Sequence, residues 1–235
     1  VLDSSLQKSG FTVSANSTSA SNYTLTSMAA NFTMSQLPFD TTAKLSFRQM
    51  YQARESIRNN PLIPFLKQTG YEIINASPFP LWKNDSTWLY HTGWGQPESL
   101  IRNQTLLPYL LDRFNWFLAR YLPALVQWKE AHIHRDDIRT IRASLQRTNQ
   151  QIQKQQVHQP RFVYTHLFIP HEPFKFDSSG NELQWNKFAY RQKKNDVLFI
   201  QQLIYCRKLI LSLAANIKHN NARPAVIIFQ GDHGY

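Results

Sequence analysis

The sequence predicts an α/β fold in which helices cover both faces of a mainly parallel central sheet, and three observations support this prediction. Segments 161–168 and 224–229 are almost continuously apolar, as strands buried on both faces are. A long helical pattern over 190–218 separates them, so that strand, helix and strand follow one another as in a parallel crossover unit. A further helix-to-strand unit occupies 61–75.

The first part of the chain is rich in Ser, Thr and Asn, but it also carries apolar residues at regular spacing. Phe11 and Val13 alternate with polar residues, which predicts a short strand. From Leu25 onward, apolar side chains that can line one helix face recur at Met28, Ala29, Phe32 and Met34. Residues 38–58 have mixed polarity and predict a helical connection.

The unit at 61–75 has clear boundaries. Pro61 begins a predicted helix that runs to Lys67, and Gly70 ends it. Tyr71–Asn75 contains consecutive β-branched residues and predicts a strand.

The middle of the chain predicts a loop followed by helices. Residues 78–100 contain three tryptophans and three prolines without a clear period, which indicates a long loop. Residues 105–128 have apolar side chains at helical spacing, with an interruption at Pro123. Residues 129–156 are polar and basic with a thin apolar stripe, which is typical of an exposed helix.

The composition restricts the classes of partner. Lys and Arg number 26 against 15 Asp and Glu, so the net charge of +11 favours anionic partners. The basic residues show no helix-turn-helix, zinc-finger or RNA-binding pattern, and we expect no specific nucleic-acid partner. A single cysteine, Cys206, excludes an intrachain disulfide and a Cys-rich zinc site. No run of about 18 apolar residues and no leader peptide is evident.

The motif Gly231-Asp232-His233-Gly234 follows the second apolar segment directly. Ligand sites in parallel sheets lie beyond the carboxyl ends of the strands. Glycines allow a sharp turn there, so a carboxylate and an imidazole could converge on one cation such as Zn or Mn. A tight turn with a capping Asp beside a surface His is the alternative.

Two more histidines accompany the first apolar segment. His166 lies inside the predicted strand, and His171 follows it between two prolines. A rigid loop histidine in that position could contact a substrate or a second metal ion, although a single loop histidine is often incidental.

Several of these segments resemble a known family. Residues 162–174 and 226–234, separated by one long helix, resemble the catalytic half of the sulfatase-like hydrolases and transferases of the alkaline phosphatase superfamily. The resembling branch is the membrane-anchored bacterial one, which includes phosphoethanolamine transferases and lipoteichoic acid synthases. Ser21–Ala30 is similar to the nucleophile segment of that branch, and segments 2–13 and 61–78 also resemble family segments. Residues 80–158 contribute little.

The resemblance implies roles for individual residues. Thr26 becomes the nucleophile and a metal ligand, with Thr24 as the neighbouring possibility. Asp232 and His233 become ligands of a divalent metal ion, Zn or Mn before Mg or Ca, and His171 or His166 contacts the substrate or a second metal. A bound cation and a helix N-terminus would both lower the pKa of a threonine hydroxyl. Taken alone, Thr26 could equally be a helix cap.

The resemblance also implies a function. It indicates one catalytic domain over 1–235, incomplete at both ends, with the nucleophile segment near 21–34 and the metal motif at 231–234. A further acidic ligand of the family, upstream of the nucleophile, has no counterpart in this chain. The expected location is extracytoplasmic, with membrane anchoring through segments outside the chain.

The expected activity is hydrolysis or transfer of an anionic phosphoester, including one linked to a lipid or a glycan. No Cys/Ser-X-Pro-X-Arg motif is present, so a formylglycine sulfatase is not expected. A non-catalytic module of the same fold that binds anions or glycans is the competing prediction.

Overall fold

The computed structural model describes residues 2–14, 16–19, 21–41, 44–85, 121–154, 158–184, 196–220 and 224–234. In chain order, their helices and strands are α1 (Leu2–Lys8), α2 (Thr24–Thr33), α3 (Phe47–Arg58), α4 (Leu62–Gln68), β1 (Glu72–Ala76), α5 (Pro123–Gln153), β2 (Arg161–Thr165) and α6 (Asp196–Asn220). β1 pairs with β2 in parallel, from Glu72 beside Arg161 to Ala76 beside Thr165. The described residues thus combine helices with a small parallel sheet, which is compatible with the predicted α/β class.

The chain groups into two compact units. The first comprises Val1–Trp88, Gln146–His166 and Ile210–Tyr235, and the second comprises Leu89–Leu145 and Leu167–Leu209. Residues 86–100 of the predicted loop and residues 105–120 of the predicted helix lie outside the described residues.

The core of the first unit forms between α2 and α3. The predicted apolar face of α2 is confirmed for Met28, Ala29 and Phe32, which are buried against residues of α3 and α4, namely Ala53, Ile57 and Ile63. Met34 does not share this face. It follows the end of α2 with a left-handed backbone (φ 53°) and is 67% exposed.

The predicted helix, glycine and strand unit at 61–75 is confirmed by α4 and β1. Buried Asn60 accepts a hydrogen bond from the backbone N–H of Ile63 at 2.9 Å, which satisfies one of the free donors at the start of α4. After α4, Gly70 adopts a φ of 86°, the left-handed conformation that glycine tolerates at a helix end. The chain then enters β1.

The two apolar segments predicted as central strands differ from that prediction. β2 ends at Thr165, and its residues are partly rather than fully buried. Segment 224–229 is not a strand, and it makes no backbone–backbone hydrogen bond within the described part of the chain. Its apolar sequence predicts a strand covered on both faces, yet Val226 is 91% and Ile228 79% exposed. Phe229 packs on Phe11, with ring centroids 5.5 Å apart, so only one side of the segment is anchored.

The second unit has a core of its own around Ile138, Ile141 and Phe176. Gln202 of α6 is fully buried, and its Oε1 accepts hydrogen bonds from the backbone of Lys175 at 2.6 Å and of Phe176 at 3.1 Å. These bonds tie segment 167–184 to α6.

A buried polar cluster accompanies this core. Lys175 is 1% exposed, and its Nζ donates to the carbonyl of Pro173 at 2.9 Å and lies 3.3 Å from the carboxylate of Asp137. His134 donates from Nε2 to the carbonyl of Leu183 at 2.9 Å. Its buried Nδ1 has no hydrogen-bond partner within the described ranges.

α6 is long and apolar enough to cross a membrane, which holds for no other helix within the described ranges. Arg207 and Lys208 interrupt its apolar sequence, which is why no uninterrupted run was evident. Of the side chains expected to point inward, Leu213 is buried, whereas Leu203 is 43% exposed. Core helices of soluble proteins share this length and composition, so the property alone assigns no location.

We expect Met28→Ala to lower the free energy of unfolding by about 2–5 kcal/mol, because it leaves a cavity in the core of the first unit. Met34→Ala removes the same side chain from an exposed position and should change stability by no more than about 0.5 kcal/mol. Urea unfolding followed by circular dichroism measures both variants. Equal losses would contradict the burial assigned to α2.

We expect the protein to lose stability as the pH falls from about 7 to about 5, in part through His134. Burial is the largest effect on His134 and lowers its pKa, and nearby Lys175 lowers the pKa further. The hydrogen bond to Leu183 and the carboxylates of Asp137 and Glu182 raise the pKa, but the net shift is downward. The unfolded chain therefore binds a proton at a higher pH than the folded protein does, so acid favours unfolding.

His134→Gln should reduce this acid-side loss, because the substituted side chain does not titrate. Thermal unfolding midpoints across that pH range provide the measurement. An unchanged pH profile in His134→Gln would rule out this contribution.

Candidate functional site

The segment that carries Asp232 and His233 lies against the first turn of α2. The hydroxyls of Ser19 and Ser27 both donate hydrogen bonds to the backbone carbonyl of Asp232. Gln230, the residue just before the motif, donates from Nε2 to Asn31 Oδ1 at 3.3 Å. Side chains of the α2 region therefore determine where this segment sits.

The glycines of the motif do not have the role that the sequence indicated. In the described part of the chain, left-handed glycines occur at Gly10, Gly70 and Gly180, and neither Gly231 nor Gly234 is among them. The bend at 232–233 therefore needs no backbone conformation reserved for glycine. The hydrogen bonds from the two serines hold it.

Three side chains converge at this bend. Thr24 Oγ1 lies 3.3 Å from His233 Nε2, and Thr24 is close enough to the carboxyl group of Asp232 to lower its pKa. His233 Nε2 lies 3.6 Å from Asp232 Oδ2. The side chains of His233 and Asp232 are 21% and 31% exposed, so the cluster is partly shielded but open to a ligand.

The tautomer of His233 follows from its second ring nitrogen. Nδ1 lies 2.7 Å from the carbonyl oxygen of Gly234, and a carbonyl can only accept a hydrogen bond. In the neutral ring the proton therefore sits on Nδ1. This leaves the lone pair of Nε2 directed at Thr24 and Asp232, the arrangement in which a histidine can bind a metal or accept a proton.

Asp232 is favoured in its ionised form. Burial alone would raise its pKa, but the hydrogen bond from Thr24 and the nearby imidazoles of His233 and His166 together lower it. Burial also raises the pKa of Tyr164. The cluster thus combines the anionic carboxylate of Asp232 with the neutral hydroxyl of Tyr164.

His166 belongs to the surroundings of this cluster. It is the first residue after β2, and its Nδ1 lies 3.3 Å from the hydroxyl of Tyr164. Burial lowers the pKa of His166, and Asp232 and His233 shift it in opposite directions. The imidazole is therefore a neutral neighbour of the site.

Thr26, the threonine that the resemblance selects, faces elsewhere. It is fully buried, and its hydroxyl hydrogen-bonds to Ser21 Oγ and to the carbonyl of Tyr23, the latter at 3.0 Å. Residues two positions apart on a helix are rotated by about 200°, so Thr24 and Thr26 cannot face the same group. The structure thus directs the hydroxyl of Thr24, the neighbouring possibility, at Asp232 and His233.

Thr26 instead borders a small cavity of about 250 Å³ in the first unit. The cavity lies between α2 and the segment that follows it, and it is lined by Thr26, Ala30, Gln36, Leu37, Phe39, Asp40 and Thr41.

His171 lies in the second unit, where Gln202 Nε2 donates to its backbone carbonyl at 3.4 Å. Its ring Nδ1 hydrogen-bonds to the carbonyl of Glu172. The role of His171 in a substrate or metal site stays a prediction.

The converging atoms fit the donor set of a divalent metal ion. Two ligands about 2.1 Å from a tetrahedral cation lie about 3.4 Å apart. The observed separations are 3.3 Å between Thr24 Oγ1 and His233 Nε2 and 3.6 Å between His233 Nε2 and Asp232 Oδ2. Within the described ranges, no group of three His, Cys, Asp or Glu residues is placed to hold a metal, so Thr24 would be the third ligand.

Sequence reasoning missed the serines that position Asp232. Ser19 and Ser27 lie in a Ser- and Thr-rich stretch whose composition resembles that of a linker. A possible signal was the spacing between Ser27 and Thr24, which are three residues apart and thus neighbours on one helix face.

Comparisons of the chain with protein-family models, with curated protein sequences and with solved structures gave no match. The resemblance to sulfatase-like enzymes therefore stays a prediction that rests on the segments that carry it.

We expect neutral His233 to carry its proton on Nδ1, because Gly234 can only accept. His134 is an internal contrast, since its hydrogen bond to Leu183 requires the proton on Nε2. Long-range nitrogen–proton NMR correlations distinguish the two tautomers. Thr24→Val should leave the His233 tautomer unchanged, and a proton on Nε2 of His233 would contradict the geometry described here.

Proposed function

We propose that this protein is a metal-dependent phosphoryl-group hydrolase or transferase in which Thr24 is the attacking residue. The observation that supports this proposal is the convergence of Thr24 Oγ1, His233 Nε2 and Asp232 Oδ2 at the first turn of α2. A hydroxyl, an imidazole lone pair and a carboxylate are the groups that such chemistry requires in one place.

Thr24 is placed to form a covalent bond to phosphorus. Its oxygen attacks in line with the bond between phosphorus and the leaving alcohol, which breaks as the new bond forms. The Thr24 proton passes to the Asp232 carboxylate and from there to the departing alkoxide, while Nε2 of His233 keeps its lone pair for a cation. Water or an acceptor alcohol then attacks the phosphothreonine and restores the hydroxyl.

Position on α2 also favours the reaction. Thr24 is the first residue of the helix, where free backbone N–H groups create positive potential. That potential stabilises an alkoxide and the negative charge of a phosphoryl group. Thr26, one half-turn further and fully buried, lacks this access.

A divalent cation, Zn or Mn before Mg or Ca, would be held by Asp232, His233 and Thr24. When bound, such a cation neutralises phosphoryl oxygens and lowers the pKa of a hydroxyl. Ser19 and Ser27 position the Asp232 backbone, and Nδ1 of His233 is fixed by Gly234, as outer partners of metal ligands commonly are.

The remaining parts of the proposal concern the whole protein. The net charge of +11 favours an anionic substrate, and we propose a phosphoester carried by a lipid or a glycan, outside the cytoplasm. We also propose that the two-stranded sheet is part of a larger, mainly parallel sheet covered by helices.

Thr24→Val and Thr26→Val are matched variants that each remove one hydroxyl and keep the shape of the side chain. We expect Thr24→Val to lower turnover of a p-nitrophenyl phosphodiester by on the order of 10³-fold or more, because the attacking atom is lost. Thr26→Val removes buried hydrogen bonds, and the fraction that remains folded should keep its turnover. Assays run with Zn, Mn, Mg and Ca in turn.

Two further measurements identify the chemistry. Mass spectrometry after incubation with substrate should find the phosphoryl group on Thr24 and not on Thr26. Calorimetric titration with Zn or Mn should show weaker binding to Asp232→Asn. If only Thr26→Val lost turnover, Thr26 and not Thr24 would be the nucleophile. Turnover without a metal ion, or faster turnover of a sulfate ester, would refute the mechanism.

A further inference from the structure

The first two turns of α3 expose a cluster of large apolar side chains. Phe47 is 82%, Tyr51 57% and Met50 41% exposed. Exposed apolar residues that are scattered singly need no explanation, but these three are neighbours on one helix at spacings of three and four residues. We call Phe47, Met50 and Tyr51 the α3 patch.

The two aromatic residues of the patch point away from the face with which α3 packs in the core. Ala53 and Ile57 are the buried residues of α3, and they contact the core that includes Met28. On a helix of 3.6 residues per turn, Phe47 and Tyr51 lie about 120° and about 160° away from Ala53. Met50 lies only about 20° from the direction of Ile57 and therefore borders the core face, although its side chain is exposed. Core packing therefore orders α3 and leaves the patch facing solvent.

The start of α3 is held in place beside the patch. Ser46 and Gln49 form a capping box, in which the Ser46 hydroxyl accepts from the backbone of Gln49 and Gln49 Oε1 accepts from the backbone of Ser46 at 2.8 Å. Such a box reduces fraying of the first turn. The patch is thus a preformed surface.

Positive charge surrounds the patch. Residues 44–54 contain exposed Lys44, Arg48 and Arg54 and no Asp or Glu. The first acidic residue beyond them, Glu55, lies 3.3 Å from Arg58. The local field at the patch is therefore positive and complementary to an anionic surface.

We propose that the α3 patch docks on the surface of an anionic lipid bilayer. Phe47 and Met50 have no hydrogen-bonding groups and suit the boundary of the acyl chains, whereas the Tyr51 hydroxyl suits the headgroup layer. Lys44, Arg48 and Arg54 would contact lipid phosphates. This inference does not depend on the proposed phosphoryl chemistry.

Two features favour a bilayer over the other partners. A nucleic acid would take up the cations but would leave Met50 and part of Phe47 without a matching surface. A protein partner with an apolar core would not need cations on both sides of the patch. A bilayer interface provides phosphates and an apolar layer together.

The test is co-sedimentation of the protein with sucrose-loaded vesicles of phosphatidylcholine alone or mixed with phosphatidylglycerol. We expect binding to the mixed vesicles, with partitioning at least about tenfold lower for the double variant Phe47→Ser/Tyr51→Ser. Arg48→Gln/Arg54→Gln should also bind less, and added salt should weaken binding of the unmodified protein.

Phe65→Ser is the matched control, because Phe65 is 58% exposed in the same unit but lies on α4. It should bind as the unmodified protein does. Thr24→Val should also bind normally, which separates this inference from the proposed catalysis. Circular dichroism should show that the exposed substitutions leave the fold intact.

Three results would overturn the proposal. They are equal binding by the folded Phe47→Ser/Tyr51→Ser variant, the same loss in Phe65→Ser, and no binding to the mixed vesicles. If single-stranded DNA displaced the protein from the vesicles, and the aromatic substitutions did not change vesicle binding, the patch would be a nucleic-acid-binding surface instead.

Discussion

The packing of α2 is the constraint on which the candidate site depends. Met28, Ala29 and Phe32 bury one face of this helix against α3 and α4, and Phe32 meets Tyr164 of β2 edge to face at 5.0 Å. This packing fixes both the axis of α2 and its rotation about that axis. The direction of every other side chain on the helix then follows.

Rotation of α2 separates its two candidate threonines. Thr24 points at the segment of Asp232 and His233, and Thr26 points into the protein beside a small cavity. The same rotation places Ser27 where it can hold the Asp232 carbonyl. Burial of the apolar face of α2 thereby brings hydroxyl, imidazole and carboxylate groups together at its first turn.

Hydrogen bonds from two serines, and not a left-handed glycine conformation, hold the Gly231–Gly234 motif in place. Asp232 keeps its position because Ser19 and Ser27 share its carbonyl oxygen, and His233 is oriented by Gly234. Neither motif glycine uses a left-handed conformation. Burial opposes ionisation of Asp232, but Thr24 and the nearby imidazoles of His233 and His166 lower its pKa and together favour the carboxylate.

Local sequence patterns alone determined several helix and strand features of this protein. Apolar spacing predicts the buried helix face that contains Met28, Ala29 and Phe32. Backbone preferences predict the end of α4 at Gly70 and the strand that follows it. Both kinds of pattern act over a few residues. A metal site at the Asp232-His233 pair stays a prediction from the sequence, because carboxylate and imidazole are metal-binding groups.

Only the tertiary structure decided which groups meet. Thr24 and Thr26 are equivalent by composition, and the rotation of α2 distinguishes them because its apolar face must be buried. Segment 224–229 has the composition of a buried strand, but pairing requires a neighbour that the local sequence does not specify, and here Val226 stays exposed. Strand pairing and helix rotation depend on contacts between residues distant in the chain, and no local pattern records those contacts.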